Sequence, residues 1–138
     1  MKLYVPSALI LGFVVLGCAG TGSSSGSTST GPTGPAAVIQ MTGSHSFNPV
    51  NVTVPAGSVV QWSNIDTAHH TVASDTNLSN FNSDPQYPTG LPGGSTYNFT
   101  VPANATSGTV LYYHCEFHGA AGNGNSLGQG MAGSITVQ

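Results

Sequence analysis

Positive charge is the rarest feature of this 138-residue chain. Lys2 is its only basic residue, against four acidic ones, so the formal net charge is −3, and it becomes −4 if a leader containing Lys2 is removed. A domain without lysine or arginine cannot neutralise phosphates, and anionic lipid headgroups do not attract it. We therefore expect no nucleic-acid partner and no membrane binding through surface charge.

Long apolar runs are also scarce. The clearest one, residues 8–16, follows Lys2 and ends at Gly17 and Cys18. It is shorter than the roughly 20 apolar residues of a transmembrane helix, and this order of features is typical of a secretory signal. Residues 1–17 are therefore predicted to be a signal peptide of the lipoprotein type, which would carry the protein across the cytoplasmic membrane.

Cysteine is rare as well, because Cys18 and Cys115 are the only two. The segment Val-Leu-Gly-Cys that ends at Cys18 resembles a bacterial lipobox, with Val where Leu is usual. The resemblance implies cleavage before Cys18 and acylation of its sulfur, so Cys18 is the predicted lipid attachment site, at the periplasmic or cell surface. The alternatives are an ordinary signal peptide cut further along, an uncleaved anchor, or a disulfide between Cys18 and Cys115.

Helical periodicity is missing from the rest of the chain. Residues 18–36 are rich in Gly, Ser, Thr and Pro and have no apolar period, which predicts a flexible linker. Residues 37–138 contain short segments in which apolar and polar residues alternate between Gly/Pro turns, as at Val50, Val52 and Val54. This pattern predicts one all-β domain, either a sandwich or a small barrel.

The residues that can carry chemistry lie near the C-terminus. Cys115 and His118 form a Cys-x-x-His pair at the end of a predicted strand, and Met131 precedes another; the Gly-rich residues 119–130 between them are predicted to be a loop. A thiolate, an imidazole and a thioether at one corner need one more imidazole to complete the His2Cys site with axial Met that suits copper. If Cys115 points inward, strand alternation turns His114 outward, so His114 is not a predicted ligand.

These motifs resemble the plastocyanin-like cupredoxins, a family of small type 1 blue-copper proteins. The likeness rests on the Val-x-Trp-x-Asn segment 60–64, on the following His70-Thr-Val, on Tyr-x-Cys-x-x-His at 113–118, and on the ending Met-Ala-Gly-Ser-Ile-Thr-Val from Met131. It covers the predicted domain 37–138. One departure is the stretch of twelve residues between His118 and Met131, where the family has only a few.

The resemblance implies a cupredoxin-like Greek-key β-sandwich that holds one copper ion, cycling between Cu(I) and Cu(II). It selects His70 over His69 as the first ligand and adds Cys115, His118 and Met131. It also implies that Asn64, near the first histidine, supports the cysteine loop. By contrast, Trp62 is expected in the core, and His45 is expected to be structural or exposed.

The function implied by the resemblance is one-electron transfer between protein redox partners, by a monomer without enzymatic activity. His118 is expected near the rim of the predicted loop, where the edge of its ring would contact the partner. The alternatives are an extracytoplasmic copper-binding or copper-delivery protein and a metal-free structural domain. Zinc is the competing metal, although structural zinc sites normally use more thiolates. Gln129 is the competing axial ligand, since Gln can replace Met there.

Overall fold

The computed structural model describes residues 34–76 and 80–138. The predicted signal peptide, Cys18 and most of the predicted linker lie outside these residues. Over the two described ranges, no helix has the length and apolar character needed to cross a membrane.

Eight β-strands make up the regular structure of the described residues. They are β1 (Ala37–Thr42), β2 (Ser46–Asn48), β3 (Asn51–Val54), β4 (Val59–Asn64), β5 (Ala73–Ser74), β6 (Thr96–Thr100), β7 (Val110–Ala120) and β8 (Gln129–Val137).

The strands form two four-stranded sheets, in the orders β2-β1-β4-β6 and β3-β8-β7-β5. β1 pairs in parallel with β4, and β3 in parallel with β8, while the other neighbours are antiparallel. The all-β sandwich predicted from the alternating pattern is therefore confirmed.

The core lies between the sheets and is built by strand alternation. In β4, Val60 and Trp62 are fully buried, while Gln61 between them is only partly covered. The Trp62 ring packs edge-on against Tyr113 of β7, with ring centroids 5.1 Å apart. Burial of one large apolar side chain of this kind contributes about 1.5–3 kcal/mol. The core position predicted for Trp62 is confirmed.

The alternating segment around Val50 serves both sheets. β2 pairs with β1, whereas β3 pairs with β8, so the chain passes from one sheet to the other at residues 49–50. Alternation alone does not reveal such a crossing. Val50 lies at the crossing, outside both strands, and is 39% exposed, whereas Val54 lies in β3 and is buried.

β7 and β8 extend beyond the predicted strands, which corrects the predicted loop at 119–130. Gly119 pairs with Gly130 and Ala120 with Gln129, so the loop is confined to residues 121–128. The glycines allow close approach: a Cβ on Gly119 would lie 2.6 Å from the Met131 carbonyl oxygen, and Gly130 has φ 66°. Glycine here permits a tight strand pair and does not mark a loop.

Candidate metal centre

Three side chains predicted as metal ligands converge at one end of the sandwich. The Nδ1 atoms of His70 and His118 are 3.1 Å apart, and they lie 3.9 and 3.5 Å respectively from the Sγ of Cys115. No other group of three or more His, Cys, Asp or Glu residues with this ligand geometry is found in residues 34–76 and 80–138. The sequence prediction thus selected side chains that lie together.

His70 is held by the turn that follows β4. Its backbone exchanges hydrogen bonds with Leu91, at 3.2 and 2.6 Å. Its Nε2 is 3.1 Å from the Asp66 carboxylate, and this hydrogen bond lowers the pKa of Asp66. An imidazole that donates from Nε2 to a carboxylate keeps the lone pair of Nδ1 for a metal. Nδ1 is also the atom that faces Cys115.

Asn64 shapes this turn and does not support the cysteine. Its amide Nδ2 donates to the carbonyl oxygens of Ala68 and Leu91, at 2.7 and 2.8 Å, and its Oδ1 accepts the Asp66 N–H at 2.8 Å. The side chain is fully buried, so these bonds satisfy a polar group that would otherwise be costly to bury. Asn64 therefore positions His70 indirectly, by holding the backbone of the turn that precedes it.

Cys115 is supported by Thr71 instead. The Thr71 N–H donates to the Cys115 Sγ at 3.3 Å, and the Thr71 Oγ1 accepts the N–H of Glu116 at 2.7 Å. Cys115 is completely buried in the middle of β7. The N–H of Thr71 is therefore directed at the sulfur and helps to fix its position beside the two imidazoles.

His118 is the most exposed of the three. It lies where the pairing of β7 with β8 shifts register between His114 and Gly119, so the strand irregularity turns its ring toward Cys115. Burial lowers the pKa of His118, and the neighbouring His45 and His70 lower it further. The lower pKa favours the neutral imidazole, which is the metal-binding form.

Met131 and Gln129 differ sharply in burial. Met131 is fully buried near the start of β8, one residue before Ala132, which pairs with His114 next to Cys115. Gln129 is exposed and pairs with Ala120 on the hairpin extension.

The remaining histidines of the described chain lie outside the cluster. His69 is exposed, and its Nδ1 lies 2.9 Å from the Thr89 carbonyl oxygen. His114 lies on the opposite face of β7 from Cys115, as alternation predicts, with its Nδ1 2.5 Å from the Asp75 carboxylate. His45 stacks on His118, with ring centroids 4.0 Å apart and planes 12° apart.

The donor set fits one copper ion. A metal bonded to imidazole and thiolate at about 2.0–2.3 Å, the lengths known for zinc, separates three trigonal donors by roughly 3.5–3.7 Å. The separations here, 3.1, 3.5 and 3.9 Å, bracket that range. One thiolate, two imidazoles and a nearby buried thioether suit copper better than structural zinc, which normally takes more thiolates.

Solved structures resembling this chain include cupredoxins and a larger copper enzyme. A purple cupredoxin from Nitrosopumilus maritimus is 23% identical, with 74% of this chain and 99% of that chain covered and a TM-score of 0.51. A variant of amicyanin in its reduced Cu(I) form is 17% identical, with coverages of 75% and 82% and a TM-score of 0.54.

The enzyme is a Cu-containing nitrite reductase from Thermus scotoductus SA-01. It is 22% identical, with a TM-score of 0.54 over 75% of this chain, but the match spans only 22% of that chain. No protein-family model and no curated protein sequence matches this chain. Together with the two sheets, these likenesses confirm the cupredoxin-like fold.

Proposed function

We propose that the protein is a type 1 copper protein that carries single electrons between redox partners. The observation that carries the proposal is the convergence of Cys115, His70 and His118 in a cupredoxin-like fold. Met131 is the proposed axial ligand, since it is buried where Gln129 is exposed. When bound there, copper would supply the Cu(I)/Cu(II) couple.

The hydrogen bonds around the cluster favour electron transfer over simple metal storage. Asp66 orients His70, and Thr71 joins the His70 segment to Cys115 and Glu116. Side chains held in this way need little rearrangement when the charge of a bound ion changes. Preorganisation of this kind reduces the cost of each electron transfer.

The rim beside His118 is suited to contact with a protein partner. Phe117 is 54% exposed, and its ring is perpendicular to that of His118 at 6.2 Å. The ring also lies against Gly90, since a Cβ on that residue would be 2.6 Å from it. An exposed aromatic beside a ligand, on a domain without lysine or arginine, favours contact through apolar surface.

We further propose that the protein itself is no enzyme and acts as a monomer outside the cytoplasm. Its described residues provide one cluster of potential metal ligands, and the likeness to nitrite reductase spans a small part of that enzyme. The leader and Cys18 support a lipid anchor, so that the membrane would be contacted through the lipid alone. Fatty-acid labelling of wild type and Cys18→Ala in a bacterial host tests the anchor, and label of equal strength in both would refute it.

The decisive experiment adds Cu(II) to the purified mature protein and records absorption and paramagnetic resonance. An intense blue thiolate-to-copper band with a type 1 resonance, reversible reduction and slow copper release would support electron transfer. Fast release to a chelator would favour copper delivery, and absence of binding would favour a metal-free structural domain. Cys115→Ser is the control: it should keep the far-UV circular dichroism and lose the blue band.

A further inference from the structure

We propose that His45 is a positioning residue of the metal centre, whose ring stacks on His118 and holds that imidazole in the metal-binding orientation. The inference rests on the proposed copper site and adds a residue beyond the predicted ligands.

The first observation is that the three ligand side chains are restrained differently. His70 and Cys115 are fully buried and are tied by hydrogen bonds to Asp66 and Thr71. His118 is only partly buried and lies at the irregular part of β7. The His45 ring covers a face of the His118 imidazole at 4.0 Å, nearly parallel to it, so rotation of His118 would break this contact.

The second observation is the backbone of His45. It has φ 53°, the one positive φ at a non-glycine position in the described part of the chain. The left-handed region is unfavourable for a residue with a Cβ, because the Cβ approaches the following carbonyl oxygen. The turn compensates with hydrogen bonds, because the His45 N–H donates to the Thr42 carbonyl at 2.9 Å and the Thr42 hydroxyl contacts Ser44 and Ser46. Unfavourable backbone conformations that persist are concentrated at functional sites.

Stacking also excludes His45 as a ligand. An imidazole binds a metal through a lone pair in the plane of its ring, so a metal bound by His118 would lie in the plane of the His118 ring. The two rings are stacked, with centroids 4.0 Å apart and planes only 12° apart, so the lone pairs of His45 would point alongside such a metal and would not meet it. The side chain therefore acts through His118.

The test compares His45→Asn with wild type. Asn tolerates the left-handed backbone but has no ring, so this change removes the stack without adding strain. In the metal-free protein, the ring-proton resonances of His118 should move downfield on loss of the stacked ring. The free energy that an aromatic stack contributes corresponds to roughly a two- to tenfold change in a binding constant. Cu(I) affinity, measured by chelator competition, should therefore fall by about that factor in His45→Asn. The reduction potential should shift as well.

Two further variants separate positioning from general damage. Gln40→Ala changes an exposed side chain of β1 outside this turn and should leave the His118 resonances and Cu(I) affinity unchanged. His45→Phe retains a ring and should restore most of both. Unmoved His118 resonances in His45→Asn, or equal loss of affinity in Gln40→Ala, would overturn the proposal. Failure of wild type to bind copper would refute the proposed function, while the metal-free spectra would still test the stack.

Discussion

Asp75 is expected to fasten the β7–β8 loop to the strand that carries Cys115. Its side chain is completely inaccessible to solvent. One carboxylate oxygen lies 2.5 Å from the His114 Nδ1, and the other accepts the Gly122 N–H at 2.7 Å. One acid thus joins the residue before Cys115 to the loop at 121–128.

Replacement of Asp75 by Ala removes both acceptors. An unsatisfied buried donor costs about 1–3 kcal/mol, and the two donors here are only partly buried, so each is assigned the lower half of that range. Together they give about 2–4 kcal/mol of lost unfolding free energy. That is a large share of the roughly 5–15 kcal/mol that stabilises a typical domain. At about 4–8 °C per kcal/mol for a domain of this size, the unfolding temperature should fall by roughly 10–30 °C.

The assay is thermal unfolding of the metal-free protein, followed by far-UV circular dichroism, with hydrogen exchange as the local measurement. Exchange of the Gly122 amide should accelerate in Asp75→Ala before the rest of the sheet opens, since its acceptor is the Asp75 carboxylate. Glu116→Gln is the matched control, because it also removes one negative charge, but from an exposed position on β7. A surface change of this kind should stay within about 0.5 kcal/mol.

Unfolding of Asp75→Ala and Glu116→Gln at the same temperature would refute the role given to Asp75. Loss of stability in Asp75→Ala, with exchange at Gly122 at its wild-type rate, would refute it as well. In the second case the carboxylate would stabilise the sandwich without holding the loop.

Three more predictions concern residues around the proposed centre. Met131→Leu should keep blue copper but raise its reduction potential, because loss of a weak donor disfavours Cu(II), and Gln129→Ala should leave both unchanged; voltammetry and absorption would show the reverse pattern if Gln129 were axial. Thr71→Val should keep the colour, since the N–H to the sulfur remains, yet lose about 1–3 kcal/mol in denaturant unfolding as the Glu116 N–H loses its acceptor. His114→Ala should bind copper with wild-type affinity in a chelator titration, and a large loss would show that His114 contributes to the metal side of β7.

The strands were predictable where side chains alternate between a buried and an exposed face. Leu111, Tyr113 and Cys115 are buried while His114 faces the other way, as period two requires. The same logic failed at Gly119 and Gly130. Glycine has no side chain with which to show a face, and the backbone pairing between these residues leaves no trace in an apolar pattern.

The convergence of Cys115 and His118 was predictable because the two residues are close together in the sequence, and the family likeness added His70. Their supports were not, since each contact joins distant parts of the chain. Asp75 meets His114 across 39 positions, and Thr71 meets Glu116 across 45. Thr71 lies in the His70-Thr-Val motif, but the motif does not reveal its hydrogen bonds, and Asp75 belongs to no motif. Only the sheet pairing of β5 with β7 brings them beside the cysteine strand.

The proposed electron transfer would make two opposed demands on His118, the third proposed ligand. An edge near the surface shortens the path to a partner, but exposure removes the packing that keeps a side chain still. Burial restrains His70 and Cys115, and it cannot restrain His118 without closing the rim. A second aromatic ring resolves this conflict, because a stack restrains the imidazole on its face while leaving its edge open. On this reasoning, His45 and the exposed Phe117 both belong to the rim of the proposed centre. A partner that displaced the His45 ring would change copper affinity and reduction potential together.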